Sequence, residues 1–302
     1  MQSFIILLIF WIISPFFMGV ILKVKAFFAG KQGPPVLIHY YTLMKLFQKA
    51  SVYSLTTTFV FRLSPLMILL TSLSAMLFLP IAGYPAVFSF EGDMILICYL
   101  FGLGRFFTII AALDTGSPFE GMGAAREAYF SVLSEASLFM IFIYFYRLHG
   151  SISLNSYLSS YHTIELWKYG QSTLLFIIAS LYIVLLIENT RVPVDDPATH
   201  LELTMIHEVM ILDHSGPDLA FIELGACTKL LFFTCILSRL LFPYNLNYAG
   251  LNVICFGSML ILIYVVIGIT ESIMARFKMT KTPKFILTSF ALAFFATFLN
   301  WG

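Results

Sequence analysis

Leu174-Leu-Phe-Ile-Ile-Ala-Ser-Leu-Tyr-Ile-Val-Leu-Leu-Ile-Glu188-Asn-Thr-Arg191-Val-Pro193-Val-Asp195-Asp196-Pro197 decides the fold. A run too apolar for water ends abruptly in a segment too acidic for lipid. Eight of the 16 Asp and Glu residues fall between Glu188 and Glu223. Carboxylates are costly in hydrocarbon, so this cluster must face water, a partner or a polar channel. The rest of the composition agrees. The chain has 302 residues, 60% hydrophobic and 17% aromatic, with mean hydropathy +0.92. Apolar runs of about 20 residues recur, which is the length that spans a bilayer. The net charge of +1 says nothing about nucleic acid, and no basic stripe exists that could follow phosphates. Cys98, Cys227, Cys235 and Cys255 are scattered through apolar segments with no close pair, so no metal or cluster site is expected within the chain.

Working outward, eight membrane helices are expected, at about 2–22, 59–81, 93–113, 126–148, 171–188, 219–242, 250–270 and 284–301. This gives an all-α, polytopic helix bundle in one membrane domain, residues 1–302. The first span has no basic leader and no small-residue cleavage site, and reads as a retained anchor. Connections after the odd-numbered spans carry Lys23, Lys25, Lys31, Lys45, Lys49, Arg62, Arg126, Arg191, Arg276, Lys278, Lys281 and Lys284. The opposite side carries Arg147, Lys168 and Arg239. The positive-inside rule then puts both termini outside and the 23–58 and 189–218 connections in the cytoplasm. Trp11, Trp167, Trp301 and Tyr144–Tyr146 suit interfacial belts.

The 23–58 connection contains a short amphipathic helix. Val36, Tyr40, Leu43, Met44 and Phe47 recur at helical spacing, over a length too short to span. It reads either as a lipid anchor or as a lid or docking surface. In the 189–218 connection, Asp196-Pro197 resembles an N-cap followed by proline at N1, so a helix is expected over 197–212. His200, His207 and His214 are seven apart, too far for one metal. They belong to a solvated or partner-facing helix with Glu202 and Glu208.

Carboxylates also enter the spans. Glu127 and Glu135 lie on the fourth, Glu188 ends the fifth, and Glu223 and Lys229 lie on the sixth. Arg105 lies on the third. An isolated Glu135 would be costly, so it should be neutral, paired or hydrated. Glu188 and Arg191, three apart, suit an ion pair if the helix continues. Such an inventory fits either buried ion pairs or a proton relay.

Several motifs carry a resemblance. Glu188-x-x-Arg191-x-Pro193-x-Asp195, with Glu202-Leu203, resembles the third cytoplasmic loop of the proton-input membrane subunit of respiratory complex I, the subunit 1 family. Arg126 followed by Glu135 matches that family's fourth-helix Arg and Glu. Asp213-x-Ser215-Gly216 resembles its acid-x-Ser-Gly. Leu113-Asp-Thr-Gly-Ser-Pro-Phe-Glu-Gly-Met-Gly-Ala-Ala-Arg-Glu127 and Val194-Asp-Asp-Pro-Ala-Thr-His-Leu-Glu-Leu-Thr-Met-Ile-His-Glu208 resemble the membrane anchor subunits of formate hydrogenlyase and related group 4 NiFe hydrogenases. The chain departs from these patterns in four places. Complex I relatives carry further glutamates where Ala198 and His200 stand. Gly33-Pro34-Pro35-Val36 replaces the usual quinone-site segment. Tyr41-Thr42 replaces a charged pair, and Glu120 stands at a usual glycine on the expected docking surface.

The resemblance implies a non-catalytic subunit of a hydrogenase-like or formate hydrogenlyase-like oxidoreductase complex in a prokaryotic inner membrane. It would hold no cofactor itself. Its partners would be large and small hydrogenase-like subunits, an iron–sulfur subunit and antiporter-like membrane subunits, with iron–sulfur clusters and a NiFe centre among them. Glu135, Glu188, Glu202, Asp213, Glu127 and Glu223 would carry protons. Arg191, Asp195, Asp196, His200, His207 and Glu208 would dock the redox arm. The alternatives are the quinone-site subunit of NADH dehydrogenase, a purely structural anchor, and a stand-alone ion transporter.

Overall fold

The computed structural model describes residues 1–158, 167, 171–195, 205–242 and 249–300, without the side chains of His149, Gln171, Ser172 and Ala249. Among the described residues the chain is helical, with one isolated bridge between Ile81 and Tyr84 and no strand. The helices are α1 (Gln2–Phe28), α2 (Ile38–Phe47), α3 (Phe59–Met76), α4 (Asp93–Asp114), α5 (Pro118–His149), α6 (Leu154–Tyr157), α7 (Gln171–Glu188), α8 (His207–Met210), α9 (Pro217–Leu241), α10 (Ala249–Ile273) and α11 (Thr282–Leu299). Seven of them are long and apolar enough to cross a membrane, and the apolar stretch Thr173–Glu188 of α7 is a shorter eighth. The expected polytopic bundle is therefore present.

Span boundaries differ where local chemistry overrides hydropathy. α3 stops at Met76, five residues early, because the chain turns through Leu77–Leu79 into Pro80. α5 starts at Pro118, eight residues early, since extended Ser117 precedes a proline at N1. The earlier start puts Arg126 and Glu127 inside a helix about 48 Å long, well beyond the ~30 Å of hydrocarbon.

α9 is the hub: 67% of its apolar window is buried, against 33–44% for the other long spans. It packs against α1, α2, α3, α7 and α10, while α11 closes on α5 and α7. The tryptophans and tyrosines are not all belt residues. The Trp11 indole N–H donates to Thr228 Oγ1 (3.1 Å), and Tyr144 is fully buried with its hydroxyl on Thr173. Polar caps in an apolar interior need partners, and these two found theirs between helices. Trp167 donates to the Leu240 carbonyl (2.8 Å); Trp301 lies outside the described residues.

The two ends of the bundle are tied differently. At the end away from the acidic connection, Asp93 opens α4 and is fully buried. It accepts from Leu154 N (2.7 Å) and Ser153 Oγ (2.8 Å), which fastens α6 to α4. At the other end, α2 lies across α1 and α9 with Leu43 buried and Phe47 edge-on to Phe221.

Candidate functional site

The site begins where α7 ends. Thr190 takes a positive φ of 49°, which breaks the helix one residue after Asn189. Arg191 therefore does not lie one turn beyond Glu188 on a continuing helix, and the expected pair does not form. Glu188 instead takes Arg105 (3.2 Å) and Lys229 (2.9 Å), while Arg191 takes Glu271 (3.4 Å).

Past this turn, Asp195 is 1% exposed. Its Oδ2 accepts from Ile206 N (3.0 Å) and His207 N (3.1 Å), and its Oδ1 pairs with Arg276 (2.8 Å). Asp195 thus satisfies the free N–H groups at the start of α8 from a distance in sequence. The helix expected over 197–212 is corrected accordingly: Met205 and Ile206 are not helical, and α8 is the single turn His207–Met210. Asp196, Pro197, His200 and Glu202 lie outside the described residues. α8 is pressed onto α5 at Gly123, where an added Cβ would stand 2.3 Å from Val209 Cγ1. Arg126 holds the same segment by donating to the Met205 carbonyl (2.9 Å).

The acid-x-Ser-Gly run joins two connections. Ser215 Oγ accepts from Val52 N (2.9 Å) and donates to Val52 O (3.3 Å). Gly216, with φ +57°, passes so close to Ala50 that a Cβ would meet its carbonyl at 2.8 Å. Asp213 is exposed in the turn after α8 and is not part of the cavity described below. Glu120 is 3% exposed and accepts from Thr115 Oγ1, so it belongs to the interior rather than to a docking surface. His214 is buried and stacked on Phe61 at 3.9 Å; burial lowers its pKa to about 4, so it is neutral at pH 7.

Between these elements lies a cavity of about 340 Å³. It gathers residues from nine helices: Lys25 of α1, His39 of α2, Thr71 of α3, Arg105 of α4, Glu127 of α5, Glu188 of α7, His207 and Glu208 of α8, Glu223 and Lys229 of α9, and Glu271 of α10. Lys229 lies twelve residues along α9, roughly 18 Å from its start, so the cavity reaches well into the membrane-spanning layer. Four cations line it and each has a carboxylate. Arg105 bridges Glu135 (3.1 Å) and Glu188, Lys229 binds Glu188, and Glu271 takes both Lys25 (3.0 Å) and Arg191. Ser134 Oγ donates to Glu188 as well. Charges at this depth need partners of this kind, since an unpaired one costs several kcal/mol. Glu127, Glu208 and Glu223 line the cavity and join none of these ion pairs.

The cavity brings together Glu127, Glu188 and Glu223 of the expected relay, and Glu135 joins it through Arg105. Of the residues expected to dock a partner, Arg191 and Asp195 turn inward because Glu271 and Arg276 neutralise them within the chain. His207 and Glu208 also face the cavity. Sequence reasoning missed Glu271. It is a lone carboxylate in the seventh apolar run, the same signal that drew attention to Glu135. Among the described residues no group of three His, Cys, Asp or Glu side chains could hold a metal.

Burial sets the titration of the groups at the loop side. Burial raises the Glu208 pKa to about 7, Glu223 and Asp195 add repulsion, and Arg191 opposes them. Burial lowers His207, with Glu127 resisting, and lowers His39 to about 4 with help from Arg191. At neutral pH the imidazoles are uncharged and Glu208 lies near its pKa. The cavity thus holds Glu208, Glu223 and Glu127 together with the Arg105-bridged Glu188.

Comparison with known proteins places this geometry in context. The family model described as NADH dehydrogenase matches residues 1–301. Formate hydrogenlyase subunit 4 of Escherichia coli (strain K12) is 27% identical over 300 residues, covering 96% of this chain and 94% of that protein. Hydrogenase-4 component C of the same organism is 28% identical over 272 residues, covering 87% and 84%. A chain of the membrane-bound sulfane sulfur reductase, an archaeal respiratory membrane complex, has the same fold, with a TM-score of 0.82 at 19% identity over 99% of both chains.

Proposed function

The chain belongs to the NADH dehydrogenase family, and from that premise we propose that it is a multi-pass membrane subunit of a hydrogenase-like oxidoreductase complex. It seats a peripheral redox arm on the bilayer and takes in the protons that electron transfer releases or displaces. Its end bearing the 23–58 and 189–218 connections faces the cytoplasm. The names of its two relatives support the hydrogenase setting, and their match runs over nearly the whole chain. The observation that carries the proton role is Arg105 bridging Glu135 and Glu188 beside a cavity with further carboxylates. Proton transfer needs ionisable groups linked through space that holds water, and a cavity of 340 Å³ has room for several. The arm's redox state shifts charge near Glu208, whose pKa sits where a small change in field moves a proton. Partner subunits supply all metal centres, and this chain's carboxylates supply the proton path.

The test compares Glu135→Gln and Glu188→Gln in the purified complex. Each keeps shape and hydrogen bonding but removes an ionisable proton. Subunit composition, electron transfer and proton movement into vesicles are measured together. Normal assembly with proton movement reduced about tenfold or more supports the relay. Normal assembly with full proton movement in both variants rejects it. A tagged chain that purifies without partner subunits rejects the complex.

A further inference from the structure

A second, smaller void lies beyond the cavity, on the side away from the acidic connection. It measures about 20 Å³ and is lined by apolar side chains and Cys98. The four helices that line both spaces agree on the direction. Along α4 the cavity touches Arg105 and Thr108, and the void touches Met94 and Ile97. Along α9 the cavity touches Glu223 and Lys229, and the void touches Phe233 and Ile236. α5 and α7 repeat the order, with Glu127 and Glu188 on the cavity and Phe145 and Leu181 on the void. Phe101 is the one side chain that lines both.

Phe101 is 6% exposed and wedged between two more rings. It stacks on Phe233 at 5.5 Å and meets Phe232 edge-on at 5.1 Å. On its cavity side, the Lys229 ammonium lies 5.6 Å from its ring centroid. From Phe101 to the far end of α4 at Asp93 the path is roughly 12 Å of apolar packing. Asp93, at that end, is fully buried and held by Ser153 and Leu154. A void lined by apolar side chains stays dry. Protons do not cross dry hydrocarbon, and no described ionisable side chain other than Cys98 lines the void.

We propose that Phe101, clamped by Phe232 and Phe233, is an insulating plug that makes the carboxylate cavity one-sided. Protons that enter from the loop side do not reach the opposite membrane face through this chain. The ionisable way out of the cavity is then lateral, along Arg105 to Glu135, whose side chain is 37% exposed on the bundle's outer surface. The inference rests on the proton-input reading for its biological meaning, but the plug is tested without turnover, so the two fail separately.

The assembled complex is reconstituted into liposomes holding a trapped pH dye. No redox substrate is added, a pH step is imposed, and its decay is timed. Phe101→Ala merges void and cavity into a space large enough for water. Decay is expected to quicken roughly tenfold over wild type, equivalent to ~1.4 kcal/mol off the barrier. Phe101→Leu keeps an apolar filler and is expected to hold the wild-type rate. Phe232→Ala opens the same void from the other side and is read alone if Phe101→Ala does not assemble. An assembled Ala variant that holds the gradient like wild type overturns the plug. So does a Leu variant that leaks as fast as the Ala variant, because loosened packing rather than lost insulation would then be the cause.

Discussion

Compare the two halves of α9. Pro217–Lys229 carries Asp218, Glu223 and Lys229, and the last two open onto the cavity. Leu230–Leu241 is apolar except for small hydroxyl and thiol residues and Arg239. The second half is buried almost throughout and the first only in part, and both contain charge. Arg239 is 1% exposed and donates through Nε (3.0 Å) and Nη2 (2.7 Å) to the Leu158 carbonyl, and it does not line the cavity. Lys229 pairs directly with Glu188 (2.9 Å) at the wall of the cavity. Charge at membrane depth is therefore not by itself the mark of a proton path. What sets the proposed path apart is charge beside a chamber, with carboxylates left over.

The sharpest way to break this comparison is to ask which half faces the cytoplasm. By the positive-inside rule, the basic connections would place the chambered half inside. With the native cysteines removed, a cysteine at Gln32, which is exposed, is expected to react only with reagent admitted to the cytoplasmic side. One at Gln2, exposed at the other end of α1, is expected to react from outside. The outcome is all-or-none. The reverse pattern would put the proton entrance on the wrong side for a cytoplasmic redox arm.

Next in size is Arg105→Met. It leaves Glu135 without its cation and leaves Glu188 with Lys229 alone. Removing one partner of the buried Arg105–Glu188 pair costs up to about 3–5 kcal/mol, so thermal stability of the complex is expected to fall sharply. An Arg105→Met complex that melts like wild type would show that Glu135 and Glu188 do not depend on Arg105.

The fold was largely legible in the sequence, and the site only in part. Span existence followed from hydropathy because each apolar run has one physical solution in lipid. Boundaries slipped where Pro80 and Pro118 governed the ends. Glu135 and Glu188 were singled out correctly as carboxylates the bundle must accommodate, yet their partner was not foreseen. Arg105 meets them across 30 and 83 residues of sequence, a distance that no local spacing encodes. Arg191 misled for the opposite reason. It is local to Glu188, but the turn at Thr190 aims it at Glu271, eighty residues on. Asp195 looked like surface charge because its partner Arg276 lies equally far away.

A finer test addresses titration. Burial raises the Glu208 carboxyl of the folded chain from its ordinary value of 4.5 to about 7. The folded state then holds the extra proton between those values, so stability falls as pH rises through that window and is level above it. Glu208→Gln removes this dependence. The variant's stability relative to wild type is expected to climb between about pH 4.5 and 7, by about 1–3 kcal/mol, and then stay flat. A difference independent of pH would mean that Glu208 is already ionised in the folded chain, and the entrance to the chambered half would need another carboxyl.

The smallest effect separates the chamber from its frame. Ser215→Ala removes the hydroxyl that both donates to and accepts from Val52. These bonds join the connection between α2 and α3 to the start of α9 without touching the cavity. They are exposed, so water replaces much of what is lost, and a cost of about 1 kcal/mol or less is expected. Melting of the purified complex should shift by a degree or two. Proton movement per electron should not change, because no ionisable group is displaced and Gly216 still holds the close pass at Ala50. A Ser215→Ala complex that assembles and melts normally but loses proton movement would show that the frame transmits motion to the chamber. The acid-x-Ser-Gly run would then belong to the coupling mechanism rather than to the scaffold.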